Sequence, residues 1–212
     1  MNLKHAKKGF TLLELLIVIA ILAVLGAIVI FLLNPVETLK KARDSQRISD
    51  LSTIKTALGI YLTSTSSPQL DNTTGNTLCV GGTGNDTIWL TDNTITDATI
   101  GSFAAVVSTP ATSAGNVDGA GWIKVNLNSL IGGSPISNFP IDPINVAIIP
   151  TAVSSTDLIY SFACKKSPLG FEVNATLESE AFTVVDDKRA KDGGNNLNLY
   201  ETGNNLTIIS DY

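Results

Sequence analysis

Residues 4–35, KHAKKGFTLLELLIVIAILAVLGAIVIFLLNP, decide the fold of this 212-residue chain. In the run 10–33 the only polar side chains are those of Thr11 and Glu14. A helix over this run is about 36 Å long, which is enough to cross the hydrocarbon core of a bilayer. The run is longer than that of a secretory signal peptide, and Asn34-Pro35 follows it instead of a small-residue cleavage site. The sequence therefore predicts a transmembrane helix.

The charges beside this run predict its orientation. Lys4, Lys7 and Lys8 precede it, together with His5. Positive residues tend to keep their end of a transmembrane helix in the cytoplasm. We therefore expect a single-pass protein of the cytoplasmic membrane, with a cytoplasmic N-terminus and with the residues after Leu33 on the extracytoplasmic side.

Glu14 is the one acidic residue in the apolar run. A carboxylate at the centre of a transmembrane helix costs about 2.5–3.5 kcal/mol, so its presence suggests a function. Because Glu14 lies only four residues after Phe10, a position at the level of the lipid headgroups is the alternative explanation.

The string Lys7–Glu14, KKGFTLLE, resembles the processing site of type IV pilins and of the related pseudopilins. A short basic leader ends in glycine, an aromatic residue follows, and glutamate comes four positions further on. The resemblance implies that a prepilin peptidase cuts between Gly9 and Phe10, removes the leader 1–9 and methylates the new amino group of Phe10. Glycine is expected at position 9 because the peptidase must approach the backbone closely.

The same resemblance implies that Glu14 acts in filament assembly. In the filament the apolar helices pack together with little water, and Glu14 of an incoming subunit pairs with the Phe10 ammonium group of its neighbour. An unpaired buried charge is costly, so this pair would set the stagger between subunits. The implied partners are identical or related pilin subunits, the prepilin peptidase and an inner-membrane assembly platform.

Residues 34–64 are predicted to continue the helix as an amphipathic half. Pro35 removes a backbone donor and can kink or locally melt the helix. From Ile48 onward apolar residues recur in steps of three and four, and the Thr/Ser cluster at 63–67 with Pro68 ends the pattern. The charged residues before Ile48 predict a solvated collar: Glu37, Lys40, Lys41, Arg43, Asp44 and Arg47.

The composition changes at residue 65. Residues 65–212 are rich in Gly, Asn, Thr and Ser, with short β-prone runs between turn residues, which predicts an antiparallel sheet in one globular domain. The fold class is therefore α+β, and the resemblance implies a pilin-like lollipop with a long N-terminal helix packed on an extracytoplasmic β-sheet head. The predicted strands are DTIWL at 86–90, SFAAVV at 102–107, GWIKVNL at 121–127, DLIYSFAC at 157–164, GFEVNATLES at 170–179, AFTVV at 181–185 and NLTIIS at 205–210.

The head is acidic. Residues 65–212 contain six Lys or Arg and 15 Asp or Glu, a net charge of −9 in a chain whose total is −5. Phosphate binding depends on neutralisation by Lys and Arg, so no nucleic-acid partner is expected and DNA uptake is not indicated.

Cys79 and Cys164 are the only cysteines, and both lie in the part predicted to be exported. In an oxidising compartment two cysteines favour a disulfide. The alternatives are two buried free thiols or a metal site, for which the chain offers few ligands because its one histidine is in the leader.

A proline-rich segment at 138–148, NFPIDPINVAI, resembles the C-terminal loops of major pseudopilins, where calcium can bind. Asp142 and Asn145 are the weak candidates for oxygen ligands, and no other cofactor is expected. The alternative is a rigid turn set by Pro140 and Pro143, since no regular ligand spacing is present.

Catalysis has little support in the sequence. No histidine lies beyond the leader, so neither a Ser-His-Asp nor a Cys-His arrangement can form there. A membrane-anchored glycosidase that uses two carboxylates is the alternative from another class. Its candidate pairs are Glu178 with Glu180 and Asp186 with Asp187.

The sequence therefore predicts a structural subunit of a cell-surface filament rather than an enzyme. The processed subunit would leave the cytoplasmic membrane to enter an extracellular pilus. The competing prediction is a pseudopilin of a type II secretion system in a periplasmic pseudopilus, since both classes share this N-terminus.

Overall fold

The computed structural model describes residues 9–92, 94–95, 100–110, 112–148 and 153–209. Most of the predicted leader and the last residue of the predicted strand 205–210 lie outside the described residues. The contacts divide the chain into two compact units, Met1–Leu39 and Lys40–Tyr212.

The first unit contains the apolar helix α1, Leu12–Leu33. Thr11 caps its N-terminus, and Asn34 ends it in the left-handed conformation with φ 37° and ψ 76°. A second helix, α2, starts at once with Pro35, a residue favoured at the first helical position. The junction predicted at Pro35 is thus a break between two helices, at an asparagine that tolerates positive φ.

Within the described residues, α1 is the one helix with the length and composition of a membrane span. Its 18-residue segment Leu12–Val29 has a mean hydropathy of 3.0, and none of it is buried within the chain. A helix that is apolar on every side needs an apolar surrounding, either lipid or other helices.

Helix α2 extends over Pro35–Ser64, and from Lys40 onward it belongs to the second unit. It ends inside the predicted Thr/Ser cluster. Its buried residues follow steps of three or four along one face, as predicted, but this face begins with two charged residues: Asp44, Arg47, Leu51, Ile54, Ala57, Leu58 and Tyr61.

The second unit also contains a five-stranded sheet in the order β2-β1-β3-β4-β5. The strands are β1 Thr87–Leu90, β2 Ala105–Ser108, β3 Tyr160–Lys165, β4 Gly170–Ala175 and β5 Tyr200–Gly203. Three of the four pairings are antiparallel, whereas β1 and β2 are parallel. The α+β class is confirmed, and the sheet is mostly rather than wholly antiparallel.

Three of the predicted strands are wrong. Residues 121–125 form a loop whose apolar side chains Trp122, Ile123 and Val125 enter the core, so their apolar character reflects burial and not strand pairing. Asn126 makes only an isolated bridge to Asp118, and Leu127 begins a short 3-10 helix. Residues 181–185 form a π-helical turn, and the described part of 205–210 contains no strand.

The sheet is covered on both faces. Successive side chains of a strand point to opposite faces of the sheet, and on one face Trp89 and Phe162 pack in a core cluster that includes Leu51 and Leu58 of α2. The other face carries a second cluster around Ile88, Leu90 and Ala163, closed by loop residues and by Ile208 and Ile209 near the C-terminus.

Candidate functional site: the N-terminal processing and assembly segment

Gly9 and Phe10 lie just before the first turn of α1, outside regular structure. A Cβ atom added to Gly9 would meet no heavy atom within 4 Å, and Phe10 is 86 % exposed. Nothing in the fold of the described chain therefore requires glycine at position 9 or packs the aromatic ring. A requirement for these residues must come from a partner, and cleavage between them stays a prediction.

Glu14 has a hydrogen-bond partner in its own helix. The Thr11 amide and the Thr11 hydroxyl each donate to Glu14 Oε2 at 3.0 Å, and the Glu14 amide donates to Thr11 Oγ1 at 3.2 Å. This reciprocal arrangement is a capping box, and it places the carboxylate at the helix N-terminus, where a negative charge is favoured. This capping role of Thr11 is not among the predictions made from the sequence, although the spacing T-x-x-E before an apolar run is its signal.

In an apolar surrounding such a capping box would lower the cost of carrying Glu14. Two donors of the same chain bind one carboxylate oxygen, so the group has hydrogen-bond partners without a second chain. Glu14 and Thr11 therefore act as one polar unit at the start of α1.

Cys79 and Cys164 form a disulfide across 85 residues of sequence, as predicted. Both are buried in the cluster that contains the α2 side chains. The bond joins the segment before β1 to β3, next to a hydrogen bond of 2.8 Å from the Val80 amide to the Cys164 carbonyl oxygen. It fixes a long, strand-poor part of the head to the centre of the sheet.

The predicted solvated collar is wrong for Asp44 and Arg47, whose side chains are fully buried. Arg47 donates from Nε and Nη2 to the two oxygens of Asp142, at 2.6 and 3.0 Å, and from Nη1 to Asp44 and Glu178, both at 2.8 Å. Arg43 donates to both oxygens of Glu178 at 2.6 and 2.7 Å. The network therefore joins α2 to two distant segments of the head.

The charged groups of this network are stabilised by partners inside it. The hydrogen bonds of Arg43, with those of Arg47, hold the pKa of Glu178 below its usual value despite partial burial. The Asp44 carboxylate is further stabilised by hydrogen bonds from the amides of Glu178 and Ser179, at 2.8–3.1 Å. Buried charges are tolerated when every one is paired and hydrogen-bonded in this way.

Asp142, one of the two calcium candidates, is engaged by this network. Besides Arg47, the amides of Ile144 and Asn145 donate to Asp142 Oδ1 at 2.8 and 3.2 Å, which makes a turn as the proline alternative predicts. Asn145 has φ 51°, and its Nδ2 donates to the Thr91 carbonyl oxygen at 3.2 Å. A calcium ion at Asp142 would have to displace Arg47. The described residues contain no group of three or more His, Cys, Asp or Glu placed to hold a metal ion, and calcium binding stays a prediction.

Three of the four carboxylates considered for a glycosidase are in ion pairs. Glu178 binds the two arginines, Asp186 pairs with Lys188 and Lys191, and Asp187 pairs with Arg189 at 3.0 Å. Lys188 and Lys191 hold the pKa of Asp186 at about 2. Such a carboxylate is a poor general acid, because it is ionised throughout the neutral range.

Comparison with known proteins gives one family match. The family described as "Prokaryotic N-terminal methylation motif" matches residues 4–30. No curated protein and no solved structure matches the chain. The match covers residues 4–9 of the predicted leader, the capping box and most of α1, and it leaves the head unassigned. The N-terminus of this chain thus carries the prokaryotic N-terminal methylation motif, the signature of type IV pilins and pseudopilins.

Proposed function

We propose that this chain is a structural subunit of a filament, made as a membrane-inserted precursor and assembled through α1. The observation that carries the proposal is the methylation motif on a helix that is apolar on every side. Such a helix needs lipid before assembly, and the helices of other subunits can replace the lipid in a filament. No catalytic step is required of the head.

Processing comes first in the proposed sequence of events. A prepilin peptidase cuts between Gly9 and Phe10 on the cytoplasmic side and methylates the new amine. The cut creates a positive charge one residue before Thr11, close to the capping box that holds Glu14. The charge that assembly needs is therefore made only after cleavage.

Assembly then pairs Glu14 with the Phe10 ammonium group of a neighbouring subunit. In a helix bundle with little water, a register that leaves either charge unpaired costs several kcal/mol, so the pair selects the stagger rather than supplying net stability. The inner-membrane assembly platform is the proposed partner in this step.

Two substitutions separate the pairing from the capping box. Glu14→Gln keeps an oxygen that accepts from Thr11 but removes the charge, so filament yield should fall while insertion and cleavage continue. Thr11→Ala removes the hydroxyl donor but keeps the charge, so filaments should still form. Filaments at wild-type yield from Glu14→Gln, measured by electron microscopy of the sheared surface fraction, would refute the pairing.

We place the filament at the cell surface as a pilus, on the basis of a large head with a disulfide. The pseudopilin alternative is favoured by one observation, the resemblance of the segment around Asp142 to the loops of major pseudopilins. Deletion of the gene decides between them. Loss of surface filaments with normal protein export supports the pilus, whereas loss of export with unchanged surface filaments supports the pseudopilus.

A further inference from the structure

Two buried glutamates face each other on the side of the sheet opposite α2. Glu172 on β4 is 0 % exposed and Glu201 on β5 is 2 % exposed. The strand register pairs Asn174 with Glu201, and Glu172 lies two residues before Asn174 on the same face. Because Glu172 itself pairs with Gly203, Glu172 and Glu201 are diagonal neighbours on one face of the β4–β5 pair, a spacing that long side chains can bridge.

Backbone amides bind one oxygen of each carboxyl group. Glu172 Oε2 accepts from the amides of Ile208 and Ile209 at 2.7 and 3.1 Å. Glu201 Oε2 accepts from the Asn196 amide at 2.9 Å. The remaining oxygens, Oε1 of both glutamates, are buried and accept no hydrogen bond from any described group.

Two ionised carboxylates would repel each other strongly at this buried position. The carboxyl group of Asp192, whose Oδ2 accepts from the Glu201 amide at 2.8 Å, adds further negative charge beside the pair. A proton between the two Oε1 atoms removes one charge and gives both atoms a partner. A calcium ion fits poorly, because it takes six to eight oxygen ligands and these side chains, with Asn174, offer about half of them.

We propose that Glu172 and Glu201 share one proton in the folded head, and that this carboxyl pair fastens two segments onto the sheet. One segment is Ile208–Ile209, which closes the second core cluster. The other is the loop before β5 that contains Asn196. The inference concerns the head alone and does not depend on filament assembly.

The pair makes the stability of the head depend on pH. Burial, and then the hydrogen bond with Glu172, raises the pKa of Glu201 to about 9, from 4.5 for an ordinary glutamate. Burial also raises the pKa of Glu172. Between pH 4.5 and about 9 the folded pair keeps a proton that the unfolded chain releases. Stability therefore falls as pH rises through this range, and the unfolding equilibrium constant grows by up to about tenfold per pH unit.

The test is urea unfolding of the full chain in detergent micelles, from about pH 5 to about pH 9, for wild type and Glu201→Gln. Glutamine has a neutral N–H donor for Glu172 and no proton to lose in this range. The unfolding free energy of the variant should therefore depend less on pH than that of wild type, by up to the contribution of one bound proton. At pH 8 the unfolding equilibrium constant of the variant should be at least about tenfold smaller than that of wild type. The matched control is Glu180→Gln, an exposed carboxyl-to-amide change, which should keep the wild-type pH dependence.

A second measurement keeps the proposal testable if the variant does not fold. The infrared spectrum of the wild-type chain at neutral pH should show a protonated carboxyl group, which ordinary glutamates lack at that pH. Absence of that band, or equal pH dependence in wild type and Glu201→Gln, would overturn the proposal. Calcium-dependent stabilisation of wild type that Glu201→Gln abolishes would also overturn it, because a cation would then join the pair.

Discussion

Replacing Arg47 by leucine tests whether the buried charge network holds the head together. The substitution keeps an apolar stem but removes the guanidinium group that serves three carboxylates. Glu178 still has Arg43, whereas Asp142 loses both of its charged hydrogen bonds and Asp44 keeps only backbone amides. Two buried carboxylates are then left without a cation.

The expected loss of stability is large. Removing one partner of a buried ion pair destabilises a protein by about 3–5 kcal/mol, because the other charge stays buried. Domains of this size have a total stability of about 5–15 kcal/mol. Each kcal/mol shifts the unfolding temperature by about 2–4 °C, so Arg47→Leu should lower it by about 6–20 °C.

Arg43→Leu is the matched control. Its side chain is 28 % exposed, and the carboxylate it pairs with is still bound by Arg47. A partly exposed pair of this kind contributes about 1 kcal/mol. Thermal and urea unfolding of the full chain in detergent measure both variants. Equal losses of stability for Arg43→Leu and Arg47→Leu would refute this reasoning. Burial and the number of carboxylates left without a cation would then not determine the loss of unfolding free energy.

Three further predictions concern the N-terminus and the disulfide. Glu14→Ala should leave insertion and cleavage largely intact but reduce assembly, because the apolar span remains and the charge is lost; a normal filament yield would count against it. Gly9→Leu should block cleavage because a side chain hinders the peptidase, so a mature chain starting at Phe10 in that variant would disprove the processing site. Replacing Cys79 and Cys164 together by alanine should cost about 4 kcal/mol, since the unfolded chain regains the freedom of a long loop. Urea unfolding measures this loss, and a change below about 1 kcal/mol would contradict it.

The N-terminal third was predictable because its signals are local. An apolar run, a basic leader and a glutamate at a fixed spacing lie within one stretch of about 30 residues, and α1 and α2 follow from periodicity and from Pro35. The disulfide was predictable because the sequence has only two cysteines and both lie in the part predicted to be exported.

The buried network was not predictable in the same way. Arg47 lies in a charge run that is typical of a solvated face, and its partner Asp142 is 95 residues away. A local pattern cannot reveal such a distant partner. One hint was present, since Asp44 and Arg47 extend the three-and-four spacing of the buried face by about two turns before Leu51.

The sheet was only partly predictable, for a related reason. β5 has the sequence YETG, and Glu201 and Gly203 both lower its strand propensity. Its place in the sheet comes from pairing with β4. Trp122 and its neighbours are the opposite case: their sequence has high strand propensity, but they lie in a loop and their side chains fill the core. The parallel pairing of β1 and β2 depends on a crossover connection whose path no strand pattern specifies.

The most direct test of the proposed function is mass spectrometry of the N-terminal peptide of the protein isolated from its own cells. The filament proposal predicts a mature chain that begins at Phe10 and carries a methyl group on its amine. A mature chain that still begins at Met1 would contradict processing by a prepilin peptidase. Glu14 would then have Thr11 as its partner and no role in assembly.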